Sequence, residues 1–185
     1  MTTDNNGAVA RSSEPSVNSL QTLDAVVLYD TIATGKRGLS ILAYMTGILE
    51  DDLVELRPWP WRLDLLQDPT AAEYAMHDTS TAHVIVLSTS GNVPLRLAFK
   101  TWFATILAQR QSMEEHVAVV ALLGLDETTT QAASRDFHFV KQLTLEAELD
   151  FFAPCFSDRP SMKMDFIKES LVKEPPNEDV ALILG

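Results

Sequence analysis

Short apolar runs alternate along this chain with polar turns and amphipathic stretches. The runs predict five buried strands, at 25–29, 53–57, 82–87, 117–123 and 149–153. Apolar residues at three- and four-residue spacing predict helices at 36–49, 69–78, from residue 94 onward, 127–143 and 162–172. This alternation predicts an α/β fold: a three-layer, doubly wound, five-stranded parallel sheet in the order 2-1-3-4-5.

Changes in composition divide the chain into three parts. Residues 1–20, rich in Thr, Asn and Ser, predict a disordered N-terminal segment. Residues 21–173 form the predicted domain, and a Glu-Pro-Pro-Asn breaker opens a C-terminal tail at 174–185. The apolar run at 180–184 predicts either a last strand or a tail docked on a surface groove.

Local signals place several element boundaries. Asp68 and Pro69 predict a helix N-cap and first helical position, and Pro94 predicts the start of the third helix. Pro58 is expected to end an edge strand, so that Trp59-Pro60-Trp61 forms a rigid bend that either caps the core or lines a cleft. The fourth strand, as the longest apolar run, is expected at the sheet centre.

The spacing of apolar residues also predicts which helix faces are buried. The first helix is expected to bury Leu39, Leu42, Ala43, Thr46 and Leu49. The third is expected to bury a stripe of Leu95, Phe99, Trp102 and Ile106. Gly124 is expected to end the fourth strand, with Asp126 capping the helix that follows.

A formal net charge of −12 argues against nucleic acid or an anionic membrane as partner, and a cytoplasmic location is expected. The single cysteine, Cys155, excludes an intrachain disulfide and a multi-cysteine metal site, and it reads as a packed residue. The four histidines show no metal-ligand spacing, so no metal site is predicted.

Two polar segments follow the first and third strands, which meet at the switch point of a 2-1-3-4-5 sheet. The residues are Thr31, Thr34, Gly35, Lys36 and Arg37 in the first, and Ser88, Thr89, Ser90, Gly91 and Asn92 in the second. Their hydroxyls and amides predict a phosphate site near the N–H groups of Gly35 and Lys36, with a flat ring over Ser88–Gly91. The plain alternative is turn chemistry, with an unusual φ at Gly35 and Thr34 as a helix cap.

Two phosphate-handling motifs fail on particular residues. A P-loop needs an upstream glycine that is missing, and Arg37 stands where Ser or Thr would bind magnesium. A response-regulator receiver has an acidic residue near the position of Asp30, but Ser88 replaces its phospho-acceptor and Pro154 follows the fifth strand.

Residues 29–38, with their Thr-Gly pair, resemble the first phosphate-binding loop of the flavodoxin-like family. Residues 86–102, with Gly91-Asn92, Pro94 and a Leu-Lys-Trp helix, are similar to the corresponding segment of flavodoxins and NAD(P)H-dependent FMN reductases. The resemblance implies a Rossmann-like fold and carries FMN binding onto Thr34, Gly35, Ser88, Thr89 and Gly91. Ile32, Arg37 and Ser90 depart from the family pattern, Ser90 at a position where an aromatic residue stacks on the flavin.

Two functional hypotheses follow. The first is a flavin-nucleotide or other phosphate-ligand site at the strand-1 and strand-3 loops, which would make any enzyme here an FMN-dependent oxidoreductase. The alternative is a non-catalytic flavodoxin-like interaction or regulatory module without cofactor, which binds a protein partner or a second copy of itself.

Overall fold

The computed structural model describes residues 21–49, 54–111, 117–124 and 131–153. The strands are β1 (Gln21–Tyr29), β2 (Val54–Arg62), β3 (Val84–Thr89), β4 (Ala118–Leu123) and β5 (Asp150–Phe152). The helices are α1 (Ile32–Leu49), α2 (Pro69–Thr81), α3 (Leu97–Gln111) and α4 (Gln131–Glu146), with a 3-10 turn at Leu65–Gln67. The predictions for residues 1–20, Asp126, Pro154, Cys155, the helix at 162–172 and the tail at 174–185 lie outside the described residues.

All five strands are parallel, in the order β2-β1-β3-β4-β5, which confirms the predicted α/β class and topology. The prediction of the fourth strand as the sheet centre is wrong. The central strand is β3, which has six residues like β4 but is buried at every one of them. Burial on both faces, rather than length of the apolar run, marks the central strand of a parallel sheet.

Two apolar layers hold the helices against the sheet. On one face α1 packs Leu42, Met45 and Leu49 against strand residues such as Val27 and Val86. On the other face α3 and α4 bury a second set, formed by Leu28, Leu87, Phe99, Phe103, Leu107 and Val140 among others. The expected stripe of α1 is partly wrong, because Leu39 and Ala43 are exposed and Met45 is buried in their place.

Three boundaries at the carboxyl edge of the sheet differ from the predictions. Helix α1 begins at Ile32 rather than Lys36, and β3 runs to Thr89 rather than Leu87. Most of the two predicted polar loops therefore lies in regular structure. Helix α3 begins at Leu97 rather than Pro94 because the Leu95 N–H is held by the carboxylate of Asp136, outside any helix.

The Trp59-Pro60-Trp61 segment is not a bend, because β2 continues through it to Arg62. Strand β2 lies at the edge of the sheet, where proline is tolerated since an outward N–H has no partner to lose. The indole of Trp61 packs against the core and donates to Asp78 Oδ2 at 2.9 Å. Trp59 is 41% exposed and donates to Asp24 Oδ1 at 2.9 Å.

The predicted helix cap at Asp68 is confirmed. Its side chain accepts the Ala71 N–H at 2.9 Å, and Pro69 stands at the first helical position.

Trp102, expected to be buried, is only partly buried. Its ring packs at the margin of the core, 5.7 Å from the ring of Phe99. The stripe of α3 is therefore correct in phase, with Trp102 at its border.

Candidate functional site

Helix α1 begins with a reciprocal pair of threonines at the carboxyl end of β1. Thr31 Oγ accepts the Thr34 N–H at 3.3 Å, while Thr34 Oγ accepts the Thr31 N–H at 3.0 Å. This is the arrangement of a capping box, with Thr34 in the place of the usual Glu or Gln. The expectation that Thr34 caps the helix is wrong, because α1 begins at Ile32 and the cap is Thr31, with Thr34 inside the first turn.

Asp30 joins the two polar segments. Its Oδ1 accepts the hydroxyl of Thr34 at 2.7 Å, and its Oδ2 accepts both the N–H of Ser90 at 2.9 Å and the Ser90 hydroxyl at 2.7 Å. The chain thus supplies its own anion beside the N-terminus of α1, where a negative charge is favoured by the helix dipole. The polar groups expected to hold a phosphate hold this carboxylate instead.

The N–H of Gly35 does not lie in a turn. It donates to Thr31 O at 2.9 Å as part of the first turn of α1, so the expected phosphate contact at this amide does not fit. Positive φ among the described glycines occurs at Gly91 and Gly124, and the structure favours glycine at position 35 for another reason: a Cβ there would lie 2.9 Å from the ring of Tyr29. Lys36 is exposed on the outer side of the helix.

Arg37 points inward, across the ends of β3 and β4. Its Nε donates to Ser88 Oγ at 3.1 Å, and Nη2 donates to the carbonyls of Thr89 at 2.9 Å and Leu122 at 2.6 Å. Nη1 donates to the carbonyl of Gly124. The positive charge expected to attract an anion therefore binds the backbone of two strand ends.

Two glycines let the loops after β3 and β4 touch. Gly91 has φ +71°, and a Cβ on it would lie 2.7 Å from Ala133 Cβ and 2.9 Å from Gly124 Cα. Gly124, with φ +103°, ends β4 as predicted and donates its N–H to Thr89 O at 3.0 Å. Both positions need glycine because the backbones approach closely in a left-handed conformation.

A cleft of about 200 Å³ lies beside this network on the α3 face of the sheet. It is lined by residues from β1, the β2–α2 segment, the end of β3 and the start of α3: Asp30, Leu63, Asp64, Gln67, Thr89, Val93, Pro94, Leu95, Arg96 and Phe99. A cleft at the carboxyl ends of β1 and β3 stands where open α/β sheets bind their ligands. Its walls are mainly apolar, with Asp30 and Thr89 at the strand ends.

One wall of the cleft is anchored by a buried acid on α4. Asp136, which is 3% exposed, accepts the N–H of Leu95 at 2.7 Å. Lys100 Nζ lies 2.7 Å from Asp136 Oδ1, as a close ion pair rather than a directed hydrogen bond, and sits 5.0 Å from the ring centre of Phe139. This carboxylate fixes the backbone between Val93 and the start of α3.

Three strongly exposed apolar side chains lie near the carboxyl edge of the sheet, and one of them, Val93, lines the cleft. Among the large hydrophobic residues that the structure describes, the three most exposed are Leu97 at 79%, Ile32 at 69% and Val93 at 67%. Ile32 lies three residues after β1, and Val93 and Leu97 lie four and eight residues after β3; the bonds from Asp30 to Ser90 join the two segments. We call Ile32, Val93 and Leu97 the apolar rim.

The structure brings most of the predicted site residues together, in other roles than expected. Thr31, Thr34, Arg37, Ser88 and Ser90 bond to one another or to Asp30, and Thr89 lines the cleft. Lys36 is exposed, and so is Asn92, whose N–H makes only a long contact of 3.4 Å to Ser90 Oγ.

Sequence reasoning missed Asp30 as the centre of the network, although it named that residue in testing for a receiver. It also missed Asp136, although the position of this residue in the sequence indicates a buried contact. Asp136 falls three residues after Ala133 and four before Val140, on the buried stripe of α4. An acidic residue on a buried helical stripe predicts a buried polar contact, because an unpaired charge there would be costly.

FMN fits these residues poorly. Asp30 already stands beside the N-terminus of α1 and would repel a phosphate there. The Thr34 hydroxyl and the Gly35 N–H both have partners within the chain.

No protein-family profile matches this chain, and no curated protein matches it. Among solved structures, homoserine dehydrogenase from S. aureus is similar over 72% of this chain and 32% of that one, with 14% identity and a TM-score of 0.43. This chain thus spans about a third of that enzyme. No helix among the described residues has the length and apolar content to cross a membrane. By its own strand order, the chain has a Rossmann-like α/β fold with a parallel sheet.

Proposed function

We propose that this chain is a non-catalytic α/β module that binds a protein partner at the carboxyl edge of its sheet. The observation that carries the proposal is the apolar rim: the three most exposed large apolar residues of the described chain all belong to the segments that follow β1 and β3, and Val93 among them lines the cleft. Apolar side chains scattered singly need no explanation, but several of them near one edge of a sheet are typical of an interaction site.

The polar network at the switch point supports the same reading. The network consists of hydrogen bonds between side chains of this chain: Thr34 and Ser90 donate to Asp30, and Arg37 donates to Ser88. These bonds stabilise the carboxyl edge of the sheet and leave fewer donors for a nucleotide. A flavin-dependent activity would need those donors free. The net charge of −12 favours a basic partner, and it disfavours a second copy of the same chain because the copies repel.

Differential capture tests the proposal. The full chain is immobilised in wild-type form, as a Val93→Ser/Leu97→Ser rim variant and as a Tyr74→Ser/Leu145→Ser control, whose side chains are also exposed but lie on α2 and α4. We expect a protein that is retained by the wild type and the control and lost from the rim variant. Equal retention by all three forms would refute the role of the rim.

Two solution measurements complete the test. Calorimetry of the full chain with FMN, with a dinucleotide and with phosphate is expected to give no saturable heat. Saturable heat with FMN would restore the flavin hypothesis and overturn this one. Light scattering across protein concentration is expected to give a monomer, while a dimer that disappears in the rim variant would make the partner a second copy.

A further inference from the structure

Two side chains that line the cleft, Asp30 and Thr89, have hydrogen-bonding capacity that the described chain itself does not use. A carboxylate offers about four acceptor sites, and Asp30 uses three of them for Thr34 and Ser90. Thr89 is only 3% exposed, and among the described residues its hydroxyl has no hydrogen-bond partner. Both residues line the same cleft.

The walls that lead to these two groups are apolar. Leu63, Leu95 and Phe99 line the cleft. Thr89 stands two residues after Leu87 on β3, so the two side chains lie on the same face of the sheet. A ligand that fills this space needs an aliphatic body and a compact donor at its tip. A lysine side chain has both, because it buries its four-carbon stem along apolar surface and carries three donors at its end.

We propose that the cleft binds the ammonium group of a lysine presented by the protein partner, an inference that rests on the proposed function. The ammonium donates to the open acceptor site of Asp30 and to the hydroxyl of Thr89, and the stem packs on Leu95 and Phe99. The apolar rim contacts the residues that flank this lysine.

An arginine fits this site less well. A guanidinium binds a carboxylate best through two parallel bonds to its two oxygens. Asp30 Oδ2 already accepts two bonds from Ser90, so the carboxylate has no open pair of positions for a fork. An ammonium group needs only one acceptor site, and Asp30 has one left.

Two further charges line the cleft. Asp64 is paired with Arg62 at 2.5 Å and contributes little net charge. Arg96 is exposed at the start of α3 and repels a cation through solvent, where screening weakens the effect. Asp30 is bonded to neutral donors, and no cation pairs with it within the described residues.

The test is an NMR titration of the full chain with n-butylammonium as a mimic of the lysine side chain. n-Butylguanidinium, n-butanol and n-butyrate serve as comparison ligands of equal chain length. We expect saturable shifts of the Thr89 and Leu95 resonances with butylammonium, at an affinity at least fivefold above those of the other three. Thr89→Val, which keeps the shape and removes the hydroxyl, is expected to weaken butylammonium about fivefold.

Three more variants sharpen the result. Asp30→Asn should abolish the preference for butylammonium over butanol, while Arg96→Ala should strengthen butylammonium about twofold by removing a like charge. Lys141→Ala, on the exposed face of α4, is a control for net charge and should leave the titration unchanged. Because Asp30 also holds the edge together, Thr89→Val remains decisive where Asp30→Asn fails to fold.

Several outcomes would overturn the inference. Equal binding of butanol would make the cleft merely apolar, and butyrate binding that is lost in Arg96→Ala would make it an anion site. Absence of saturable shifts at Thr89 and Leu95 with butylammonium would leave no lysine site. A partner that depends on the rim but binds Thr89→Val and Asp30→Asn normally would sustain the proposed function and refute only the lysine.

Discussion

Replacing Arg37 by methionine tests whether the guanidinium is structural. Arg37 donates four hydrogen bonds, to Ser88 Oγ and to three carbonyls at the ends of β3 and β4. Three of these acceptors retain other partners: Thr89 O accepts the Gly124 N–H, Leu122 O accepts the Thr89 N–H in the parallel ladder of β3 and β4, and Ser88 Oγ donates to Thr34 O. The carbonyl of Gly124 therefore bears most of the loss.

The expected cost follows mainly from this one acceptor. A hydrogen bond to a charged group contributes about 1.5–3 kcal/mol, and the bonds lost at the other three acceptors add less because those acceptors keep partners. Methionine keeps the aliphatic stem and does not need to be desolvated as a charge, which offsets part of that sum. We expect Arg37→Met to lower the free energy of unfolding by about 1–3 kcal/mol, a sizeable share of the stability of a typical domain.

Urea unfolding followed by tryptophan fluorescence measures this change. The matched control is Lys36→Met, which removes the same charge from an exposed neighbour and should change the stability by less than about 0.5 kcal/mol. If Arg37→Met unfolds within about 0.5 kcal/mol of the wild type, the four bonds contribute nothing net. Arg37 would then not be the residue that stabilises the ends of β3 and β4.

Other predictions concern glycines and one ion pair. Gly91→Ala should destabilise the domain by about 1–3 kcal/mol in the same assay, because of its positive φ and the contact with Ala133. Gly47→Ala, where a Cβ meets nothing within 4 Å on a helix, should instead stabilise it by about 0.5–1 kcal/mol. The hydrogen bond from Arg57 holds the pKa of Asp24 below its ordinary value. The ionised Asp24 carboxylate therefore stabilises the fold at neutral pH, and this contribution is lost as pH falls below about 4. The urea midpoint of Asp24→Asn should therefore fall less than that of the wild type between pH 6 and pH 3.

The strand order and the helix cap at Asp68 were predictable because their signals are local. An apolar run, a turn and an amphipathic stretch each lie within a short window of sequence, and the connection rules for parallel strands supply the rest. The expected edge position of the second strand follows from its alternating pattern and is confirmed. Local patterns of this kind carry most of the information about architecture.

The site could not be predicted in the same way. Asp30 meets Ser90 across 60 positions of sequence, and Arg37 reaches Leu122 across 85. Such long-range bonds produce no periodic pattern in the sequence. A segment of Ser, Thr and Gly has the same sequence pattern whether it binds a phosphate or a carboxylate of the same chain. The distinction depends on which charge the fold brings to the end of the strand.

The prolines of β2 determine how this sheet can meet another chain. The Leu63 N–H donates to Tyr29 O, so it points toward β1, and successive residues of a strand alternate in direction. Pro58 and Pro60 lie an odd number of residues before Leu63, and their nitrogens therefore point away from the sheet. Two donors that an incoming strand would need are absent from the outer edge, which discourages strand addition and edge-to-edge aggregation there. A partner is thereby directed toward the ends of the strands and away from this side of the sheet.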